Sequence, residues 1–115
     1  MVFCDCDEHN YTISISSLKE KITVNTKAII AVHLYGHPCD MDNLLKLAKV
    51  HDLKIVEDCA QAHGAEYKGK RVGAIGDIGC FSFYPGKNLG AYGDGGAIVS
   101  NDENLVTKCR MIANH

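Results

Sequence analysis

The chain has 115 residues, of which 46% are hydrophobic and 23% charged, with a formal net charge of -2. That length bounds it to one domain or less, and the composition is that of a globular chain rather than a disordered one. The charge is spread along the sequence, so no basic stripe suggests a nucleic-acid surface. Apolar runs such as Ala28–Val32 are too short to cross a bilayer, and the opening MVFCDCDEHN lacks the basic and apolar segments of a signal peptide. The expectation is a soluble, cytoplasmic protein without membrane or nucleic-acid partners.

Residues 2–7, VFCDCD, read as a short strand running out into an acidic turn. Residues 11–15 lead to a short helix through Leu18, Lys19, Glu20, Lys21 and Ile22, with Ser16 or Ser17 as its cap. The run from Ala28 through Ile29, Ile30, Ala31, Val32 and His33 to Leu34 is β-branched and does not alternate, which marks a strand buried on both faces. Tyr35, Gly36, His37 and Pro38 break it. Asp40 caps the next segment, Met41–His51, where Met41, Leu44, Leu45, Leu47 and Ala48 recur at helical spacing.

Residues 53–58, LKIVED, form another strand. Strand, helix and strand make a βαβ unit, which implies parallel pairing and a right-handed crossover. Glu57 and Asp58 fall at the C-terminal end of that strand, the side on which open α/β sheets bind ligands. Residues 60–67, AQAHGAEY, read as a short helix or turn, and residues 68–73 as an exposed basic turn. Residues 78–84 are the strand entering a glycine-rich loop, and residues 97–100 the strand leaving it. Too few residues separate these two strands for a helical crossover, so they pair antiparallel or only loosely. Asp102 caps a last helix, Glu103–Ala113, with Leu105, Val106, Cys109 and Ile112 on its apolar face.

Cys4, Cys6, Cys39, Cys59, Cys80 and Cys109 are scattered, several inside apolar runs, and no C-x-x-C pair occurs. A disulfide scaffold, a zinc ribbon and a thioredoxin motif are therefore excluded, and the cysteines read as reduced core thiols. Phosphate-loop fingerprints also fail. Residues 64–71, GAEYKGKR, place Arg71 where a Ser or Thr should hold magnesium, and no G-x-G-x-x-G follows a strand. His33 and His37 are separated by Gly36 and followed by Pro38, so they share no helix face for a metal. His63 is read as an interior, hydrogen-bonding histidine, and no Ser or Cys carries a nucleophile signature.

The stretch 80–97, CFSFYPGKNLGAYGDGGA, carries the remaining chemistry. Pro85 fixes its own φ, while the glycines permit backbone that a Cβ would obstruct, and Lys87 stands between them. On local pattern alone this is equally a glycine-rich hairpin with a solvated lysine. With neighbouring strands, however, Asp58, Gln61, Ser82 and Lys87 meet at one rim of the sheet. An amine, a carboxylate and a hydroxyl are the groups that pyridoxal phosphate requires.

At these residues the chain resembles a known family. HLYGHPCDMD (33–42), VEDCAQAHGA (56–65), GDIGCFSFYPGKNLGAYGDGGA (76–97) and RMIANH (110–115) are similar to the sugar aminotransferases called DegT/DnrJ/StrS. The resemblance implies an α/β fold: a three-layer, mostly parallel sheet with helices on both faces, within the aspartate aminotransferase-like large domain. It implies pyridoxal 5'-phosphate as cofactor, and nucleotide-linked keto-sugar and glutamate as substrates of a ping-pong cycle. It also implies a homodimer. Residue by residue, it implies Lys87 as the Schiff-base lysine and proton shuttle and Asp58 as the partner of the pyridinium nitrogen. Gln61 would lie beside the ring 3-hydroxyl, and Ser82 would bind the phosphate. Members of the family are about three times longer, so residues 1–115 would be a partial cofactor-binding large domain. The alternative expectation is a non-catalytic α/β fragment that keeps the motifs only as a structural or interaction remnant. A sugar dehydratase is disfavoured by Lys87, because relatives of that kind carry histidine there.

Overall fold

The computed structural model describes residues 1–114. Helix α1 spans Ile15–Lys21, strand β1 Ala28–Val32, helix α2 Met41–His51 and strand β2 Lys54–Asp58. A short hairpin follows, β3 Glu66–Tyr67 and β4 Lys70–Arg71, then β5 Ile78–Ser82, β6 Gly96–Val99 and helix α3 Glu103–Ala113. The main sheet has four strands in the order β1-β2-β5-β6. The first three run parallel, and β6 runs antiparallel to β5 in register Cys80↔Ile98 and Ser82↔Gly96. The βαβ unit and the antiparallel return thus take the form that the sequence predicts.

Alternation along the strands sorts residues between two faces. Ile29, Ala31 and Ile55 point to one face, where Leu18 of α1 and Met41, Leu44 and Ala48 of α2 bury them in a single core. On the opposite face α3 lies against β6, and burial, then the charges of Asp58 and Cys109, raise the pKa of the Cys80 thiol there. Helices therefore cover both faces of a mostly parallel sheet, as expected for the three-layer class.

Both long helices begin as anticipated. The Asp40 carboxylate accepts from the Asn43 N–H at 3.2 Å, and the Asp102 carboxylate from the Asn104 and Leu105 N–H groups at 2.9 and 3.3 Å. Helix α1 is capped by Ser14 rather than Ser16 or Ser17, its Oγ accepting from the Ser17 N–H at 3.3 Å. Ser17 Oγ accepts instead from the Asp5 N–H at 3.0 Å, which ties the N-terminal segment to the helix.

Two other expectations need correction, and one open choice is decided. Residues 2–7 form no strand beyond an isolated bridge from Cys6 to Ile13, because Asp7 turns the chain by accepting from the His9 and Asn10 N–H groups. Of the two readings for residues 60–67, helix or turn, the turn holds through residue 65, and Glu66–Tyr67 are β3. Strand β1 is buried on one face only: Ile29 is 3% exposed and Ile30 54%. An unbroken apolar sequence shows that a strand suits burial on both faces, but these residues supply a cover for just one.

Candidate functional site

The C-terminal ends of β2 and β5 carry Asp58 and Ser82, and the segments that leave those strands carry Gln61 and Lys87. Asp58 closes β2 and stands in register with Val32 on β1 and Cys80 on β5. Ser82 closes β5 two residues further along and, by alternation, on the same face as Cys80 and Asp58. The Asp58 carboxylate is half-buried, and its Oδ1 accepts from the Ala60 N–H at 3.0 Å, an Asx turn that starts the chain away from the sheet. Ser82 Oγ accepts from the Tyr84 N–H at 3.3 Å, which leaves its own proton free to be donated.

Gln61 lies on the turn that leaves β2. Its Oε1 accepts from the Tyr35 N–H at 3.0 Å, so it reaches across the end of β1. Tyr35 itself is held at φ 54, ψ 24, a left-handed conformation uncommon for a non-glycine residue. Lys87 sits on the loop between β5 and β6, and that loop is anchored at its base. The Phe83 N–H donates to Gly95 O, the Ala91 N–H to Phe83 O and the Lys87 N–H to Tyr84 O, at 2.7, 2.7 and 2.8 Å. The Lys87 ammonium belongs to none of the ion pairs among the described residues. Register thus places Asp58 and Ser82 on one face, and Gln61 and Lys87 lie on the segments that leave the same strand ends.

One part of the arrangement lies outside the sequence reading. Glu57 is fully buried, on the face opposite Asp58. Its Oε1 accepts from the Ile75 and Gly76 N–H groups at 2.8 and 2.6 Å, and its Oε2 from the Gly73 N–H at 2.8 Å. The fourth donor is His33 Nε2 at 3.0 Å, also fully buried. His33 Nδ1 accepts from the Cys39 N–H at 3.0 Å. A nitrogen that accepts a hydrogen bond carries no proton, so the ring proton sits on Nε2. Burial opposes the Glu57 charge, but His33 and the three amides outweigh it and hold this carboxyl below the usual range. The signal was present in the sequence. Consecutive strand residues face opposite ways, so Glu57 and Asp58 cannot both line the rim. The inward carboxylate then needs donors, and His33 is the one in phase with it.

His33, Glu57 and Cys59 also bring one ligand-type atom each to within 4.8 Å of one another. Their chemistry does not suit a metal. The carboxylate and both ring nitrogens are already hydrogen-bonded, and burial pushes the Cys59 thiol up to about 12, away from the thiolate that a metal takes.

His63 departs from expectation. Both ring nitrogens are buried without a hydrogen-bond partner among the described residues. The ring packs at 5.6 Å from the Phe81 ring and 5.7 Å from that of Phe83. It is interior, as predicted, but not hydrogen-bonded. Elsewhere, two surface concavities form, one around His37, Asp40 and Lys46, the other around Ile22, Lys27 and His51. Neither contains a residue of the rim. No helix among the described residues is long and apolar enough to cross a membrane.

The profile of the DegT/DnrJ/EryC1/StrS aminotransferase family matches residues 1–115. A UDP-N-acetyl-3-dehydro-alpha-D-glucosamine 3-aminotransferase from Acidithiobacillus ferrooxidans is 54% identical over 114 residues, 99% of this chain and 31% of that protein. Among solved structures, DesV of S. venezuelae superposes with a TM-score of 0.94 at 51% identity, over 98% of this chain and 30% of that one. NtdA from Bacillus subtilis, solved with bound cofactor PMP, superposes with a TM-score of 0.89 at 36% identity, over 99% of this chain and 25% of that one. The chain spans less than a third of the length of these relatives.

Proposed function

The chain belongs to the DegT/DnrJ/EryC1/StrS aminotransferase family, and from that premise we propose that it is the central part of the cofactor-binding large domain of a pyridoxal-phosphate-dependent aminotransferase. The amino donor is glutamate, the acceptor is a nucleotide-linked keto-sugar, and the working assembly is a cytoplasmic homodimer. The observation that carries this reading is the placement of Asp58 and Ser82 on one face at adjacent strand ends, with Lys87 on the anchored loop that follows.

The residues present fit the cofactor. Asp58 keeps Oδ2 free after Oδ1 has bonded to Ala60, and it is the group that would hold a protonated pyridine nitrogen. Ser82 keeps a hydroxyl proton to donate to phosphate. Gln61 would lie beside the ring 3-hydroxyl. When bound, the cofactor supplies an electron sink for the bonds at the carbon that carries the amine. The rest falls to the chain. Lys87 Nζ, on a loop tied down at its base, would bond the cofactor and afterwards carry the proton between the substrate's amine-bearing carbon and the cofactor carbon joined to that nitrogen. Asp58 is half-buried beside apolar strands, where solvent screens an ion pair less than at the open surface.

Borohydride reduction of the full-length protein after addition of pyridoxal phosphate tests the assignment. Peptide mapping should find the reduced adduct on Lys87, and an adduct on Lys68 or Lys70 instead would refute it. Transfer of label from 15N-glutamate to a nucleotide-linked keto-sugar, followed by mass spectrometry, tests the donor and the acceptor.

A further inference from the structure

Resting on the aminotransferase reading, we propose that Glu57 and His33 are positioning residues for Asp58, locking the end of β2 so that the Asp58 carboxylate stays aimed at the cofactor's ring nitrogen. Glu57 precedes Asp58 by one residue, and its four donors come from three separate places: His33 just beyond β1, Gly73, and the Ile75–Gly76 amides that lead into β5. The backbone around Asp58 is held on both sides as well. Its carbonyl accepts from the His33 N–H at 3.0 Å, and the next amide, Cys59 N–H, donates to Cys80 O at 2.8 Å. His33 therefore grips β2 twice, through its main chain at Asp58 and through its ring at Glu57.

A buried carboxylate is a costly way to fill a core. Apolar residues of similar volume often serve stability as well or better, so an ion or polar pair retained inside is better understood as fixing one arrangement among several. Here the arrangement is specified down to the proton. The Cys39 amide occupies Nδ1, so the ring can only donate from Nε2, and Glu57 offers only acceptors. Neither partner can turn over without leaving a buried group unmatched. A carboxylate that must meet one ring atom gains from such a support, because a misplacement of about 1 Å can cost about 100-fold in rate.

Two substitutions at one position separate positioning from bulk stability. In His33→Gln the carboxamide nitrogen can still donate to Glu57, whereas in His33→Asn the shorter side chain can accept from Cys39 but does not reach Glu57. Each variant is loaded with pyridoxal phosphate carrying 15N at the ring nitrogen, and the nitrogen shift reports its protonation. His33→Gln should keep the wild-type shift. His33→Asn should move it toward the unprotonated form and lower kcat about 100-fold, with KM for glutamate within about threefold and with Lys87 still labelled by borohydride. A folded His33→Asn with a wild-type nitrogen shift would overturn the proposal.

The unaltered protein gives the second measurement, in case His33→Asn does not fold. By linkage, a contact at Asp58 that is coupled to His33 must also be felt at His33. The imidazole 15N signals of His33 should therefore move on addition of pyridoxal phosphate and stay in place with the 1-deaza analogue, which has carbon at the ring nitrogen. An equal response to both probes would refute the coupling. All of these measurements are made on the full-length protein that contains this segment; if its wild-type form binds neither probe, the aminotransferase reading itself fails, and this inference falls with it.

Discussion

Glu57 and Asp58 are consecutive residues that lie on opposite faces of one strand, Glu57 wholly buried and Asp58 half-buried. Two carboxylates that share a peptide bond therefore have separate surroundings, and substitutions at them should report on different properties.

Asp58→Asn keeps an oxygen for the Ala60 N–H but loses the charge. The fold should persist, with the urea midpoint close to wild type. Turnover should fall at least ~100-fold, since a hydrogen bond to a charged group is worth about 1.5–3 kcal/mol even before the catalytic step is considered. Wild-type turnover in this variant would show that another group faces the ring nitrogen.

Glu57 should make the fold sensitive to acid. Its pKa is lowered in the folded state, so its contribution is fully present above the unfolded carboxylate value of about 4.3. It is lost as pH falls through the lower folded value. Asp77 acts in the same direction. Burial opposes its charge, but the Ile55 amide and the Lys54 ammonium hold its carboxyl below the usual range. Urea midpoints measured from pH 7 down to pH 3 should be flat at first and then drop on the acid side of the ordinary carboxylate range. A midpoint that rises toward pH 3 would contradict both assignments.

His63→Leu removes two buried ring nitrogens that lack partners and keeps an apolar group against Phe81 and Phe83. An unsatisfied buried polar group costs about 1–3 kcal/mol, so this substitution should be neutral or stabilising by about 1 kcal/mol. Chemical denaturation decides it. A loss above about 1 kcal/mol would mean that the imidazole has a partner in the working protein.

Gly79→Ala should be among the most damaging small changes. A Cβ there would run into the backbone of Gly73, which cannot retreat while its N–H is bonded to Glu57. Overpacking of this kind costs about 1–3 kcal/mol, and the fixed neighbour puts the expectation at about 3 kcal/mol. Thermal unfolding followed by circular dichroism should show the loss, and a wild-type midpoint would mean that the 73–76 loop gives way.

All six cysteines are free. A thiol reagent applied to the unfolded chain without reductant should count six. On the folded protein, exposed Cys6 should react well before buried Cys59, whose thiol burial pushes up to about 12. Equal rates would show that the core around Cys59 opens readily.

Elements whose signals are local were legible in the sequence. Asp40 and Asp102 announce the starts of α2 and α3, and the short span between β5 and β6 fixes their antiparallel pairing. Ser82 and Asp58 could be placed together only on the condition that their strands are neighbours, which the order β2-β5 meets. What escaped depended on partners distant in sequence. Ser14 rather than Ser16 caps α1 because Ser17 is drawn to Asp5. The exposure of Ile30 and Val32 depends on what covers the sheet, which β1 itself does not encode. The role of Glu57 was hidden by its neighbour, since an acidic pair at a strand end reads as one feature until alternation divides it.

The bond between Tyr35 and Gln61 also sets the polarity of the rim. A main-chain N–H can only donate, so it is the oxygen of the Gln61 amide that turns toward Tyr35. The amide nitrogen is left as the outward end, and it has only protons to give. Under the proposed cofactor reading, whatever meets Gln61 there must accept a hydrogen bond rather than donate one. A backbone kink on one strand end thereby fixes which end of an amide is presented beside another.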